Sequence, residues 1–299
     1  MPDARARAAY AGYRVAADVA RVLPPALGDP LARATSWAYE ALNPARRAQV
    51  ARNLDRVGAA PLDPAARRRA VAATFGYYGR YWHELFQLSV RDPAPFVAGF
   101  RCDGEEHLRE AAQLGRGVIL ALPHLGNWDV GGAWLAGTGH PVTVVAELVE
   151  PPELFDWFVA TRARLGMRVV ALGPDAGRRL LRDLHEQRVV CLVGDRDMTG
   201  DGVEVEFFGE RTRLPGGPAL LALRTGAPLL PAGCFFRPER GHGARILEPL
   251  ATSRRGRLRD DVTRVTQQLA HRFEDLIRAA PEQWLLMQPN WPSDAAAAS

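Results

Sequence analysis

The sequence predicts an α/β fold: a central, mostly parallel sheet flanked by helices, with an N-terminal helical region suited to membrane association. Three observations carry this. From about Phe100 onward, short apolar runs alternate with helical patterns, the signature of strands joined by crossover helices. One of those runs, Val118 to Leu122, is apolar at every position, as expected of a strand covered on both faces. Before Phe100 the chain reads as helix after helix, rich in Arg and aromatics. The expected division is a helical region over 1–95 packed on an α/β core over 96–299, one continuous domain overall.

Composition narrows the function classes. The 299 residues are 47% hydrophobic and 24% charged, a globular balance. No uncharged apolar stretch approaches the roughly 18 residues of a spanning helix, and Met1 to Arg7 lacks an apolar signal core, so a cytoplasmic location is the default. Cys102, Cys191 and Cys234 are far apart and sit in expected strands, so they read as small buried hydrophobes, with neither a disulfide framework nor a metal site. All 38 basic residues are Arg, with a net charge of +4. Codon supply explains much of that bias, but Arg binds phosphate bidentately whatever its origin. Anionic lipid and phosphorylated donors fit such a surface. No nucleic-acid module is recognisable, so nucleic acid ranks last.

Residues 4–23 form an amphipathic helix with Ala9, Tyr13, Ala16, Ala20 and Leu23 on one face, closed by Pro24-Pro25. It suits a membrane interface or the protein's own core. Helices follow from about Asp29 to Leu42, from Pro44 after the cap Asn43, and from Asp63-Pro64 into the aromatic run Phe75, Tyr77, Tyr78, Tyr81, Trp82. That run reads either as an interfacial belt or as a helical layer over the sheet. Then come a strand at Phe100–Cys102, a helix at Gly104–Leu114 and the central strand Gly117–Leu122. A helix over Asp129–Ala136, a strand at Pro141–Ala146 and a helix at Pro152–Leu165 follow. Next are a strand at Arg168–Ala171, a helix at Asp175–Gln187 and a strand at Val189–Val193. The acidic loop Gly194–Gly202 leads to a half-exposed strand at Val203–Phe208. Leu214-Pro215-Gly216-Gly217 opens a helix to Arg224, its glycines leaving amides open to an anion. Strands at Pro228–Phe236 and Ala244–Leu247, the long helix Asp261–Arg278 and a frayed tail at Ala295–Ala298 complete the chain.

The chemistry concentrates at Pro123-His124-Leu125-Gly126-Asn127-Trp128-Asp129, at the C-terminal end of the central strand, where open α/β sheets place their sites. Asn127 is a helix cap and Asp129 lies in the first turn. Four residues separate His124 from Asp129, so a tight turn at Gly126 lets the carboxylate swing back to the imidazole. A carboxylate on one ring nitrogen leaves the other as a base, and an unperturbed His titrates near ~6.5.

The string His-Leu-Gly-Asn-Trp-Asp resembles the His-four-residues-Asp motif of glycerolipid and lipid A acyltransferases. Asp195-Arg196-Asp197, Phe207-Phe208-Gly209-Glu210, Leu214 to Ala219, Pro281-Glu282-Gln283-Trp284 and Gln288-Pro289-Asn290-Trp291 are most similar to the phosphatidylinositol mannoside acyltransferases of actinobacteria. Gly194-Asp195-Arg196-Asp197 stands where many glycerolipid enzymes have Pro-Glu-Gly-Thr, so their headgroup rules do not carry over.

The resemblance implies transfer of a long acyl chain from acyl-CoA to a hydroxyl of mannosylated phosphatidylinositol, at the cytoplasmic face of the membrane, with no metal or redox cofactor. His124 is then the general base and Asp129 its orienting partner. Asp197 or Asp195 is a second carboxylate on His124 or a holder of acceptor hydroxyls. Amides near Gly126 or Gly216-Gly217 are oxyanion donors. Arg162, Arg211 and Arg213 are expected on phosphates, with Asn127, Glu147 and Arg196 beside the substrate. Gly131, Gly132 and Ala133 leave room for an acyl groove. Two alternatives remain: another glycolipid acceptor such as a lipid A precursor, and a non-catalytic lipid-binding protein on the same scaffold.

Overall fold

Parallel pairing dominates the sheet because most of its strands are joined by helices. In a computed structural model that describes residues 4–22, 25–58, 62–238 and 241–296, seven strands pair in the order β1-β9-β8-β2-β5-β3-β4. They are β1 (Arg101–Asp103), β2 (Val118–Leu122), β3 (Val142–Ala146), β4 (Met167–Ala171), β5 (Val189–Val193), β8 (Leu229–Phe236) and β9 (His242–Ile246). Only β8 and β9 pair antiparallel, being consecutive in the chain. A separate hairpin pairs β6 (Val203–Phe207) with β7 (Glu210–Leu214).

β2 lies near the middle and is buried at all five positions. Its period of two divides it between two cores: Ile119 and Ala121 face one, Val118, Leu120 and Leu122 the other. The first core is closed by α9 (Ala176–His185), α10 (Gly217–Thr225) and α11 (Leu258–Arg278), through Leu180, Leu184, Ala219, Leu269 and Phe273. The second is closed by α6 (Glu105–Gln113) and α7 (Trp128–Gly137), through Leu108, Ala111, Val130 and Ala133.

The N-terminal helices α1 (Ala4–Val22), α2 (Pro25–Leu42) and α3 (Pro44–Val57) gather on α4 (Pro64–Leu88), which carries the described part of that region onto the core. Asp63 starts α4 by accepting from the Ala65 and Ala66 amides. The aromatic run of α4 turns inward: Tyr81 is buried, and Trp82 packs with Tyr13 of α1 and Phe158 of α8 (Pro152–Arg164). The layer reading therefore holds for those rings, while Trp37 on α2 is 72% exposed. On α1, Tyr13 and Ala17 face inward, whereas Val15, Val19 and Val22 are exposed. The side chains of Ala9 and Ala20, like Leu23 and Pro24, lie outside the described residues. No helix among the described residues is long and apolar enough to cross a membrane.

Three elements differ from expectation. Short α5 (Ala94–Val97) follows Pro93, and β7 continues beyond Phe208 because Phe208-Gly209, both at positive φ, make a two-residue hairpin turn. The tail is held as far as Ala296 by α12 (Pro292–Ala296); Ala297 and Ala298 lie outside the described residues. Asp294 anchors it to α3, accepting from Arg52 at 3.3 Å and Arg56 at 2.9 Å.

Candidate active site

The order of strands reverses around β2, which leaves a crevice at the C-terminal ends of β2 and its neighbours. β2 and β5 run parallel with Leu122 opposite Val193. The ladder continues one step further, the Gly194 amide donating to the Leu122 carbonyl at 2.8 Å. Two residues beyond the end of each strand, His124 and Asp195 meet. His124 Nδ1 lies 2.6 Å from Asp195 Oδ1, and the His124 backbone N–H donates to Oδ2 at 2.9 Å. With Nδ1–H given to the carboxylate, Nε2 is the ring nitrogen left to accept a proton. The His124 side chain is 31% exposed, while Asp195 is fully buried.

Asp195 is ionised by design of its surroundings. Burial opposes its charge, but the adjoining His124, the Trp284 indole N–H at 2.7 Å and the His124 amide hold its pKa below the ordinary carboxylate value. Asn290 Nδ2 donates to the Asp195 carbonyl at 2.9 Å, and the Leu285 amide to the His124 carbonyl at 2.7 Å. The Gly126 amide meets the Gln283 carbonyl at 3.0 Å. Gly126 sits at φ +62°, where a Cβ would come within 2.3 Å of the Cys234 carbonyl oxygen. The C-terminal segment thus clamps both members of the pair.

Asp129 does not orient His124. Its carboxylate, 1% exposed, turns to the helices: Oδ1 accepts from Arg162 Nε at 2.7 Å, and Oδ2 from Arg162 Nη2 at 3.3 Å and the Tyr81 hydroxyl at 2.9 Å. The reason is register: β5 delivers Asp195 to Nδ1, and the first turn of α7 directs Asp129 toward α4 and α8. Burial opposes the Arg162 charge, yet Asp129 and Tyr81 raise its pKa. Burial, followed by the Asp129 charge, pushes the Tyr81 phenol well up, so it remains a donor.

Beside this pair a narrow apolar slot of about 80 Å³ runs between α7 and the sheet. Leu120, Leu122, Gly131, Gly132, Met167 and Cys234 line it, with Asp129 and Arg162 among its few polar neighbours. Trp128 joins it to the histidine, its ring edge-on to His124 with centroids 5.4 Å apart. Gly131 and Gly132 let α7 approach closely: a Cβ would fall 2.6 Å from Cys234 Sγ and 2.4 Å from Met167 Sδ.

The family model described as bacterial lipid A biosynthesis acyltransferase matches residues 7–293. The chain belongs to that family, and it is an acyltransferase. A phosphatidylinositol mannoside acyltransferase of Mycolicibacterium smegmatis is 41% identical over 252 residues, 82% of this chain and 80% of its own length. One from Mycobacterium tuberculosis is 41% identical over 254 residues, 82% and 77% of the two lengths. A lipid A biosynthesis acyltransferase of Haemophilus influenzae is 24% identical over 225 residues, 74% and 68% of the two lengths.

Other sequence-predicted residues of the acyltransferase fall elsewhere. Asn127 caps α7 through the Val130 amide at 3.1 Å and gives its Nδ2 to Glu84 at 2.6 Å, so it positions the loop and is not free for substrate. Asp197 accepts from the amides of Thr199, Gly200 and Gly202, which fold its own loop. Burial opposes its charge, but those amides hold its pKa down, and it makes no bond to His124. Arg196, half-buried, joins none of these bonds. Arg211 and Arg213 stand exposed on β7 opposite Glu206 and Glu204, because alternation turns Thr212 and Leu214 inward instead. Gly216 and Gly217 begin α10, where Gly216 packs on Val203 and Val262; neither is bonded to the His124–Asp195 pair. The Gly126 amide is already taken by Gln283, so it is not an oxyanion donor. Glu147 is exposed directly after β3 and joins none of these bonds. Among the described residues no three His, Cys, Asp or Glu gather as a metal site needs.

Tyr81, Glu84 and Trp284 were not anticipated as site residues. Trp284 and Asn290 lie in the closing segments noted above, but nothing in a linear sequence says which carboxylate their donors reach.

Proposed function

We propose that this acyltransferase moves a long-chain acyl group from acyl-CoA to a hydroxyl of a phosphatidylinositol mannoside, with His124 as general base and Asp195 as its orienting carboxylate. The observation that carries it is the 2.6 Å His124–Asp195 contact near a narrow apolar slot of about 80 Å³, which Trp128 joins to the histidine. Nε2 takes the proton of the acceptor hydroxyl as its oxygen attacks the thioester carbonyl. A step of this kind is worth roughly 10²–10⁴-fold. The C–S bond then breaks, and the imidazolium returns its proton to the departing thiolate. Buried Asp195 stabilises that imidazolium. The slot is narrow, so a full-length chain requires the flexible Met167 to yield. The mannoside acceptor is supported by the 41% identical relatives.

We place the reaction at the cytoplasmic face of the membrane, where acyl-CoA is available. Exposed Val15, Val19, Val22, Trp37 and Leu42 on α1 and α2 support peripheral attachment, and the arginine-only basic set supports an anionic surface. The test supplies labelled palmitoyl-CoA with the mannoside or a lipid A precursor. Mannolipid product that His124→Ala abolishes is the expected result. Product on the lipid A precursor alone replaces the acceptor, and product that survives His124→Ala removes the mechanism.

A further inference from the structure

Asp195 lies past the end of its strand, so β5 alone does not hold it. On one side the Gly194 amide donates to the Leu122 carbonyl of β2. On the other side the Asp195 carbonyl accepts from Asn290 Nδ2 at 2.9 Å. Beyond Asp195 the chain enters the Asp197 loop, where that carboxylate accepts only from amides of its own loop and from Thr199. Asn290 therefore reaches the backbone of the carboxylate where the sheet no longer does.

Asn290 is itself fixed from behind. Its amide and that of Trp291 donate to Asp294 Oδ2 at 2.9 and 3.2 Å. The Thr212 hydroxyl of β7 donates to the Asn290 carbonyl. Asp294 is fully buried, and its Oδ1 accepts from Arg52 at 3.3 Å and from Arg56 at 2.9 Å, both on α3. A buried carboxylate is tolerated only where donors meet it, so these four groups dictate where Asp294 sits. A salt bridge, an amide–carboxylate bond and a side-chain hydrogen bond thus run in series from α3 to Asp195. Closing the core does not need that polar series, because Trp291 already stacks on Phe207 with centroids 5.7 Å apart. Holding a catalytic group does need it: a misplacement of about 1 Å can cost roughly 10²-fold in rate.

We infer that Asn290 and Asp294 are positioning residues for acyl transfer. Asp294, gripped by α3, sets Asn290, and Asn290 fixes the Asp195 backbone so that its carboxylate stays on His124 Nδ1. The inference rests on the His124–Asp195 assignment above, so Asp195→Asn is measured beside the variants to separate the two.

Steady-state rates are measured on the full chain with acyl-CoA and the mannoside, and normalised to folded protein by circular dichroism and melting temperature. Asn290→Asp keeps the shape of the side chain but removes its donor. It is expected to lower kcat by roughly 10–100-fold, at least as much as Asn290→Ala, with KM changed less than about twofold. Asp294→Asn should lose about tenfold in kcat, and the Asn290→Ala/Asp294→Asn double variant should fall within about threefold of Asn290→Ala, since steps in series do not multiply. A purely structural tail predicts the opposite order, the isosteric Asn290→Asp being the milder change. If Asp294→Asn does not fold, the two Asn290 variants decide. Folded Asn290 variants with wild-type kcat, a loss confined to KM, or losses that multiply in the double variant overturn the inference. Inactive Asp195→Asn beside fully active Asn290 variants overturns it alone, whereas active Asp195→Asn overturns the base assignment and this inference together.

Discussion

Replacing Asp195 by Asn tests the base assignment most sharply, because the structure dictates how the amide must sit. Asp195 Oδ2 accepts two donors, the His124 amide at 2.9 Å and the Trp284 indole at 2.7 Å. Among the described residues Oδ1 faces only His124 Nδ1, at 2.6 Å. An asparagine oxygen must therefore occupy the Oδ2 position, since the opposite rotamer sets an NH₂ against two N–H groups in a buried site. The NH₂ then donates to Nδ1. Nδ1 must be unprotonated, so the proton sits on Nε2, and the nitrogen needed as base carries it instead. In a Ser-His-Asp triad the same change costs about 10⁴-fold in kcat. A loss of about 10³–10⁴ is expected here, equivalent to roughly 4–5.5 kcal/mol in the barrier. Release of coenzyme A is followed with a thiol reagent at saturating donor and acceptor, and KM should change little. An Asp195→Asn enzyme that folds and keeps more than a tenth of wild-type kcat refutes the reasoning. So does an equally folded Asp129→Asn enzyme that loses as much.

Other outcomes follow from the same geometry. Asp129→Ala strips a buried arginine of its carboxylate, so urea unfolding should show a loss of about 3–5 kcal/mol; a loss under 1 kcal/mol contradicts the tie to Arg162. Trp284→Phe removes one donor from ionised Asp195, and about 1.5–3 kcal/mol should appear in stability and kcat together; an unchanged enzyme dismisses the clamp. Gly132→Ala pushes a Cβ against Met167 Sδ, so the preferred thioester should become shorter, read from products of a mixed-chain donor pool; an unchanged profile moves the acyl chain out of this slot. Asp195, Glu84 and Asp294 have pKa values below ordinary: burial opposes each charge, but respectively His124, His242 and the Asn290 amide lead the groups that outweigh it. Such groups add stability above the unfolded pKa, near ~4, that is lost as pH falls through the lower folded values. The melting temperature should therefore drop steeply below about pH 4, and a flat profile from pH 5 to 3 excludes the linkage.

Much of the fold was legible because both periodicities are clean. The all-apolar run Val118 to Leu122 could only be a strand buried on both faces, and its loop ended where such sheets put chemistry. The hairpin strand β7 was missed because Arg211 and Arg213 dominate it, and their alternation with Thr212 and Leu214 is too short to stand out. Asp129 was placed first on His124, and Asp195 stood only beside Asp197 as a possible second carboxylate, for a deeper reason. Spacing along the chain offers Asp129, but contact depends on which strand lies next to β2. Once β5 is known to pair with it, Leu122 opposite Val193 brings Asp195 to the histidine directly. Strand order is not written in any local pattern, so the carboxylate nearer in sequence was placed ahead of the one that lies in contact.

The motif's acid and its histidine thus belong to different networks, and their closeness in sequence has a different use. His124 is held from one side by Asp195 and the C-terminal segment through Trp284, Leu285 and Asn290. Asn127 and Asp129, a few residues on, are held from the other side by α4, through Glu84 and Tyr81, and by α8 through Arg162. Glu84 also receives Arg80 at 2.7 Å and lies 2.9 Å from the Nε2 of buried His242, so one carboxylate ties α4 and β9 to the cap of α7. α4 therefore helps to set the position of Asn127 and of the start of α7, which carries Trp128 beside both His124 and the slot. The helices that bear the exposed Val15 and Trp37 pack on that same α4. α4 thus stands between those outer helices and the loop that follows His124, through the Glu84–Asn127 and Tyr81–Asp129 hydrogen bonds.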